Sequence, residues 1–326
     1  MRLIVNIPAF NEQEKIGETI KRIKDSFSLD FYSQKGSVIT EKLIQVVDDG
    51  SKDKTAEISK NSGANDVVSH TVNRGIGITF KTAVEKALGN KADIMVNIDA
   101  DGQFDPKDIV KLIEPILDGD ADMVSADRFS DIKAKNMPKS KYHLNKLAAF
   151  IISWFMNYDI KDLTCGFRAY SKETLLRLNL PGNFTYTQEV IIDALGKNLK
   201  LKWVPVEVTY FENRKSRVVK SIWNYVNNSF RIILKAIRDV RPMKFFGIPG
   251  ILMILFSLGF LFYFFTMYFQ DWKITPYRNI LIFSITLFLV GLQFFVFALV
   301  ADMIKSSRKL TEDQMYQWKK DKYDKQ

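Results

Sequence analysis

A chain of 326 residues with one cysteine cannot be stapled by disulfides and suits a reducing compartment. Its two histidines leave no zinc cluster and little scope for a Ser-His triad. The formal net charge of +10 does not read as a nucleic-acid footprint. Much of the excess surrounds two uncharged stretches near the C-terminus and fills the tail, where anionic lipid headgroups attract it.

The opening Met1–Ile7 reads as a short strand ending in Pro8, not as a signal peptide. Ile16, Ile20, Ile23 and Phe27 then mark one face of a helix. Further strands are predicted at Leu43–Val47, Val67–Ser69, Ile94–Ile98 and Met123–Ala126, with helices at Lys54–Ser62, Ile78–Leu88 and Pro106–Leu117 between them. From Lys139 to Pro205 the pattern is more helical, and Leu201–Tyr210 predicts a last strand. Such alternation predicts an α/β fold with a mostly parallel sheet covered by helices on both faces. Ligands bind such sheets at the carboxyl ends of the strands. The informative loops are therefore Pro8–Glu12, Asp48–Ser51, Asn73–Gly77 and Asp99–Gln103.

Asp99-Ala100-Asp101-Gly102-Gln103 directly follows a predicted strand. Two carboxylates one residue apart can share a hard divalent cation with the phosphate oxygens of a ligand, which is how Mg²⁺ is usually held. An EF-hand loop is excluded, because the glycine is misplaced and Val110 stands where the bidentate Glu is required. In Asp48-Asp49-Gly50-Ser51 a carboxylate can accept hydrogen bonds from a base or ribose, while Ser51 and Asp53 suit the start of the next helix. Asn73-Arg74-Gly75-Ile76-Gly77 is no dinucleotide fingerprint: it follows the third strand, and Phe80 occupies the place of the last glycine.

Beyond these loops, Lys220–Arg241 interleaves aromatic and aliphatic residues with Lys and Arg, as an interfacial helix does. Phe245–Gln270 and Asn279–Ala301 are uncharged, and either would span roughly 30 Å of hydrocarbon as a helix. Arg231, Lys235, Arg238, Arg241 and Lys244 precede the first stretch, and Lys305, Arg308 and Lys309 follow the second. The loop Asp271–Arg278 carries only Lys273 and Arg278 as cations. The positive-inside rule then predicts a two-span membrane hairpin with both termini and the soluble domain in the cytoplasm. The predicted boundaries are 1–218 for the soluble domain, 219–242 for the juxtamembrane helix, 243–304 for the spans and 305–326 for a basic tail.

Five blocks occur in order between about Arg2 and Ser216: Pro8-Ala9-Phe10-Asn11-Glu12, Asp48-Asp49-Gly50-Ser51, Asn73-Arg74-Gly75, Asp99-Ala100-Asp101-Gly102-Gln103 and Asp162-Leu163-Thr164-Cys165-Gly166-Phe167-Arg168. In this the chain resembles the inverting GT-A glycosyltransferases of family 2, and within them the polyprenyl-phosphate hexose synthases of the dolichol-phosphate mannose synthase type. The resemblance implies a Rossmann-like nucleotide-sugar-binding domain. It also implies transfer of mannose or glucose, with inversion, from GDP-mannose or UDP-glucose to a dolichyl or undecaprenyl phosphate. By it, Pro8, Ala9, Asn11, Glu12, Asp49 and Asp99 line the nucleotide, and Asp99, Asp101 and Gln103 surround Mg²⁺ or Mn²⁺. Arg128, Lys139, Lys141, Arg214 and Ser216 face the acceptor phosphate, and Asp101, Arg128 and Arg214 carry the catalytic roles.

Two departures from the family pattern stand out. The glycine usual between the late Arg and Ser is missing at Arg214–Ser216, with shorter spacing, and lysine at 139 or 141 replaces an arginine. Lysine neutralises a phosphate without bidentate geometry. A lipid monophosphate has a second pKa near 6 and is already largely anionic, so the acceptor needs a cationic cradle rather than a general base. A processive polysaccharide synthase is the alternative enzyme, but Gln188 is followed by Glu189-Val190-Ile191 instead of that class's Gln-x-x-Arg-Trp. A membrane-tethered nucleotide-sugar sensor without catalysis is the other alternative, and a homo-oligomer is compatible with any of the three.

Overall fold

Strand β1 (Arg2–Ala9) is buried along all but its first residue. That burial is what a continuous apolar run flanked on both faces requires. In the computed structural model, which describes residues 1–34, 38–130, 139–179, 186–209, 230–231, 233–235 and 237–324, β1 lies near the middle of a seven-stranded sheet. The others are β2 (Glu41–Asp48), β3 (Asp66–Ser69), β4 (Ile94–Asn97), β5 (Met123–Asp127), β6 (Arg168–Ser171) and β7 (Leu201–Pro205). Their order is β3-β2-β1-β4-β6-β5-β7. All pairings are parallel except those of β6, which runs antiparallel between β4 and β5.

The register matters for function. Ala9 lies opposite Asp48, Asp48 opposite Ser69, and Asn6 opposite Asn97. The carboxyl ends of β1, β2, β3 and β4 therefore finish at neighbouring points on one edge, and the four polar loops leave from it.

Helix α1 (Ile16–Ser26) buries Ile16, Thr19, Ile20 and Ile23, a helical stripe facing the sheet. The helices α3 (Thr55–Asn61), α4 (Ile76–Gly89) and α5 (Ile109–Leu117) fall where their periodicity predicts. The sequence reading did not separate out the short α2 (Asp30–Gln34). In the later, more helical part are α6 (Lys139–Met156), α7 (Lys172–Arg177) and α8 (Thr187–Gly196). The expected last strand stops at Pro205, and Val208 forms a separate antiparallel bridge to Phe104. Ile7, Ile20, Ile23, Val46, Val96 and Phe167 lie in the apolar core.

The chain divides into two compact units. One comprises Met1–Ile233 together with Gln314–Gln326, and the other is Leu234–Asp313. The second unit contains the helix Pro242–Asp271 and most of a longer helix, Arg278–Asp324. A Cβ on Gly250 would lie 3.0 Å from the Gly291 carbonyl oxygen, and one on Gly291 would lie 2.9 Å from that of Gly250. The helices thus meet where neither has a side chain, as small residues permit between apolar helices. Ser257 Oγ donates to the Ser284 carbonyl at 2.8 Å near the same seam. Each helix contains an 18-residue stretch, of mean hydropathy 2.3 in the first and 2.5 in the second, that is long and apolar enough to cross a membrane and whose side chains are mostly exposed.

The end of the longer helix belongs to the first unit. Tyr316 Oη donates to Glu173 Oε2 at 2.9 Å, and the Arg177 guanidinium sits 4.5 Å from the Tyr316 ring centroid. Lys319 Nζ donates to the Leu178 carbonyl at 2.8 Å and to Asn179 Oδ1 at 3.0 Å, and Lys172 pairs with Asp324 at 2.7 Å. The tail expected to face lipid headgroups thus has its last turns bonded to α7 and the residues after it. Of the predicted juxtamembrane helix, residues 230, 231, 233–235, 237–240 and 242 are helical, and 219–229, 232 and 236 lie outside the described residues.

Candidate active site

The loops after β1 and β2 are locked to each other. The Asn11 backbone N–H donates to Ser51 Oγ at 2.8 Å, and Asn11 Oδ1 accepts from the Lys52 N–H at 2.9 Å. Asn11 adopts a φ of 52°, and Asn is among the residues that tolerate this left-handed region best. Asp48, buried, accepts from both the hydroxyl and the N–H of Ser51. The Glu12 N–H donates to Thr55 Oγ1 at 2.8 Å. Pro8 and Ala9 are buried in β1, opposite Val47 and Asp48.

Asp49 holds a third loop. Its carboxylate accepts the backbone N–H groups of Arg74 and Gly75 at 2.9 and 2.8 Å, and the His70 Nδ1–H at 2.8 Å. His70 Nε2 lies 2.9 Å from Thr82 Oγ1 on α4, so the ring bridges the loop to a helix. Gly50 makes this approach possible: at φ +72°, a Cβ there would lie 2.4 Å from the Val72 carbonyl carbon.

The Asp99–Gln103 turn rests on α1. Thr19 Oγ1 donates to the Ala100 carbonyl at 3.0 Å, and Arg22 Nη1 lies 3.4 Å from the Gly102 carbonyl. Asp101 Oδ1 accepts the Gln103 N–H at 3.0 Å, and the Gln103 carbonyl accepts the Thr209 N–H at 3.1 Å. Behind the turn runs a buried amide chain across three strands. Gln45 donates to Asn6 at 2.9 Å, Asn6 to Asn97 at 2.7 Å, and Asn97 to Tyr186 Oη at 2.8 Å. The Tyr186 ring stacks on Phe80 at 4.1 Å, and a Cβ on Gly166 would sit 3.3 Å from Tyr186 Oη and 3.4 Å from each Asp99 oxygen. Burial, then the nearby Tyr170 and Asp99, holds the Tyr186 hydroxyl well above its ordinary pKa, so it stays protonated.

Arg128 is buried, and it is not an open cation. Its Nε donates to Asp162 Oδ2 at 2.6 Å, while Nη2 reaches Asp162 Oδ1 at 2.9 Å and Thr164 Oγ1 at 2.7 Å. Asp162 also accepts from Asn145 Nδ2 at 3.1 Å and from the N–H groups of Thr164 and Cys165. Burial alone would raise the Asp162 carboxyl, but the Arg128 charge and these hydrogen bonds hold it below the ordinary range. Beside it, burial and then the Asp162 charge push Asp127 upward, against the Phe129 N–H it accepts at 2.8 Å. Lys139 and Lys141 lie in the first turn of α6. Arg214 and Ser216 lie outside the described residues.

The model of the family described as glycosyl transferase family 2 matches residues 4–178, more than half of the chain. The chain belongs to glycosyl transferase family 2. It is therefore a glycosyltransferase. It is 31% identical over 231 residues to a UDP-N-acetylglucosamine–dolichyl-phosphate N-acetylglucosaminyltransferase of Methanococcus voltae, covering 65% of this chain and 87% of that one. A dolichol-phosphate mannosyltransferase of Pyrococcus furiosus is 29% identical over 81% of this chain and 72% of its own. Glucosyl-3-phosphoglycerate synthase of Mycobacterium tuberculosis, solved with Mn²⁺, uridine diphosphate and glucosyl-3-phosphoglycerate, superposes with a TM-score of 0.55. At 20% identity over 74% of this chain and 80% of that one, the likeness concerns the GT-A fold.

Several residues around this candidate site escape a reading by motif. Gln45, Asn6 and Asn97 form their chain only because β2, β1 and β4 are neighbours, though three buried amides inside apolar strands were a visible oddity. His70 and Tyr186 carry no local signature. The family block Asp162–Arg168 was recognised, but its internal work was not: Asp162 anchors Arg128. Arg168 is fully buried and donates to the carbonyls of Thr187 and Leu163 at 2.6 and 3.1 Å.

Among the described residues no group of three His, Cys, Asp or Glu side chains converges. Asp99 and Asp101 are hard oxygen donors that fit Mg²⁺ or Mn²⁺ when phosphate and water complete the shell.

Proposed function

We propose that this glycosyltransferase moves a hexose from a nucleotide-diphosphate sugar to a polyprenyl phosphate, with inversion at the anomeric carbon. The observation that carries the reading is the Asp99-x-Asp101 turn at the carboxyl end of β4, beside loops that Asn11, Ser51 and Asp49 fix in place. The names of the relatives support a dolichyl-type phosphate acceptor. The two long apolar helices support a membrane in which such an acceptor resides.

In this reading the loops after β1 and β2 hold the nucleoside, with Pro8, Ala9, Asn11 and Glu12 as its wall. Asp49 acts chiefly by fixing the Arg74–Gly75 backbone. Asp99, Asp101 and Gln103 would hold the cation, which when bound neutralises the departing diphosphate. Tyr186 and Asn97 keep the floor beneath Asp99 rigid and exclude water from it. Arg128 shapes the loop Asp162–Gly166 through its buried pair. Lys139, Lys141, Arg214 and Ser216 are the candidates for the acceptor phosphate, which needs charge neutralisation and no base to remove a proton. In this reading the helical hairpin crosses the bilayer, and the excess of Lys and Arg outside Asp271–Arg278 supports a cytoplasmic catalytic domain.

The test offers purified protein one polyprenyl phosphate, Mg²⁺ or Mn²⁺, and a panel of labelled GDP-mannose, UDP-glucose and UDP-N-acetylglucosamine. Label entering the organic phase with one donor, and staying in water when metal is chelated, is the expected result. Release of free sugar with no lipid product from any donor overturns the reading.

A further inference from the structure

The amide chain behind Asp99 has a direction. Gln45 Nε2 donates to the Ala83 carbonyl at 3.0 Å as well as to Asn6 Oδ1 at 2.9 Å. A backbone carbonyl only accepts, so Ala83 fixes which end of the Gln45 amide is nitrogen. Asn6 then accepts through its oxygen and donates through its nitrogen to Asn97 Oδ1 at 2.7 Å. Asn97 Nδ2 has two hydrogens and gives them to the Gly166 carbonyl at 3.2 Å and to Tyr186 Oη at 2.8 Å. The Gly166 carbonyl thus fixes the far end in the same sense as Ala83 fixes the near one. Asn6, Gln45, Asn97 and Tyr186 are each 3% exposed or less, so these bonds are made without bulk water.

The last member decides what the chain does. Tyr186 Oη accepts from Asn97, and a buried hydroxyl that stays protonated must give its own hydrogen to another acceptor. Gly166 shows where that acceptor lies. A Cβ at 166 would stand 3.3 Å from Tyr186 Oη and 3.4 Å from each Asp99 oxygen, so hydroxyl and carboxylate border one small space. A hydrogen bond to a carboxylate is roughly twice as strong as one to a neutral oxygen. The Tyr186 ring is held flat against Phe80, at 4.1 Å and 9° between planes, which keeps its hydroxyl aimed.

We infer that Tyr186 is a positioning residue of the cation site: its hydroxyl donates to the Asp99 carboxylate, in a sense imposed from Gln45 on β2 through Asn6 on β1 and Asn97 on β4. This rests on the proposed reading that Asp99 and Asp101 hold Mg²⁺ or Mn²⁺. The bond fixes the rotation of the Asp99 carboxylate independently of the cation. Ligating carboxylates are held by such partners, and losing one costs about 10–100-fold in metal affinity.

The experiment counts Mn²⁺ bound to the full chain in detergent by electron paramagnetic resonance, with UDP and then GDP present. Asp101→Asn is the reference for a lost cation site. Tyr186→Phe, which removes only the hydroxyl, should weaken Mn²⁺ binding by about 10–100-fold while the protein remains folded. Phe80→Leu removes the stacking ring and keeps the hydroxyl; it should melt below the parent yet bind Mn²⁺ within about twofold of it. Gly166→Ala sets a methyl between hydroxyl and carboxylate. It should weaken Mn²⁺ binding by itself and add less than about twofold once Tyr186→Phe is present, because both break one contact.

If Tyr186→Phe binds Mn²⁺ like the parent while Asp101→Asn does not, the role of Tyr186 falls and the cation reading stands. If Asp101→Asn also binds like the parent, both fall. A loss in Phe80→Leu equal to that in Tyr186→Phe, or losses that multiply in the Tyr186→Phe, Gly166→Ala double variant, would assign the effect to packing and overturn the inference. Should Tyr186→Phe not fold, Gly166→Ala decides alone, and an unchanged Mn²⁺ affinity overturns it.

Discussion

Arg128 and Asp162 face each other through two parallel hydrogen bonds of 2.6 and 2.9 Å, both side chains removed from water. The family resemblance implies a ligand phosphate for Arg128, and the fold also pairs it with a carboxylate that gathers Asn145, Thr164 and Cys165. Breaking a buried pair from one side leaves the partner charged and alone. Asp162→Ala should therefore destabilise the protein by about 3–5 kcal/mol. Arg128→Lys, which keeps the charge and loses the fork, should melt between parent and Asp162→Ala. Thermal melts in detergent check both. If Asp162→Ala melts like the parent, the pair is not what holds this loop.

The second expectation concerns Asp101. Asp101→Asn keeps an acceptor for the Gln103 N–H and removes one negative charge from the turn. Folding should survive, and transfer should fall on the order of 100-fold or more. Turnover equal to the parent at the same metal concentration would sink the assignment of a cation to this turn.

Gly166 offers a finer probe. A methyl there meets both Asp99 oxygens at 3.4 Å and Tyr186 Oη at 3.3 Å, so it packs where Asp99 needs room. Gly166→Ala should cost on the order of 10-fold in turnover with little loss of melting temperature. Gly89→Ala, whose methyl meets nothing, serves as the control. An active Gly166→Ala variant would mean that Asp99 works from its other side.

Asp127 and Asp162 should respond to pH with opposite sign. The Asp127 carboxyl is raised by burial, so its ionised form costs stability at neutral pH, and the cost fades as pH falls through the raised value. The Asp162 carboxyl is lowered, so its contribution is present at neutral pH and is lost only as pH falls through that lowered value. Asp127→Asn should therefore melt above the parent at pH 7, with the difference shrinking towards about pH 4. A gain that does not change with pH would trace to packing rather than charge.

Topology is open to labelling. Cysteines introduced within Asp271–Arg278 should react with an impermeant thiol reagent outside intact cells, and cysteines near Lys325 should not. The reverse pattern would place the catalytic domain on the other side.

What the sequence revealed was whatever lies within one loop or one period. Asp99 and Asp101 stood out because a strand followed by two spaced carboxylates is a local pattern, and β1, β2 and β4 did so because each is an apolar run. Strand β6 did not: it is four residues long, opens with a fully buried arginine, and takes its identity from two neighbours supplied by β4 and β5. The three acceptors of Arg168 come from Leu163, Thr187 and Ser125, separated from it by 5, 19 and 43 residues. No window scan brings those together. The pairing of Arg128 with Asp162 is invisible for the same reason, since Asp162 lies 34 residues away.

The contacts of Tyr316, Lys319 and Asp324 with α7 and the residues after it make the catalytic unit discontinuous along the chain, and this bears on the order of synthesis. Glu173 and Lys172 leave the ribosome well before their partners do, because both long apolar helices must be made first. The catalytic unit therefore completes its packing only after both long apolar helices have been synthesised, and until then Glu173 and Arg177 lack the Tyr316 ring. A fragment cut at Arg241 loses these late contacts along with the apolar helices. A peptide spanning residues 314–324, added in trans, is the natural complement to such a fragment.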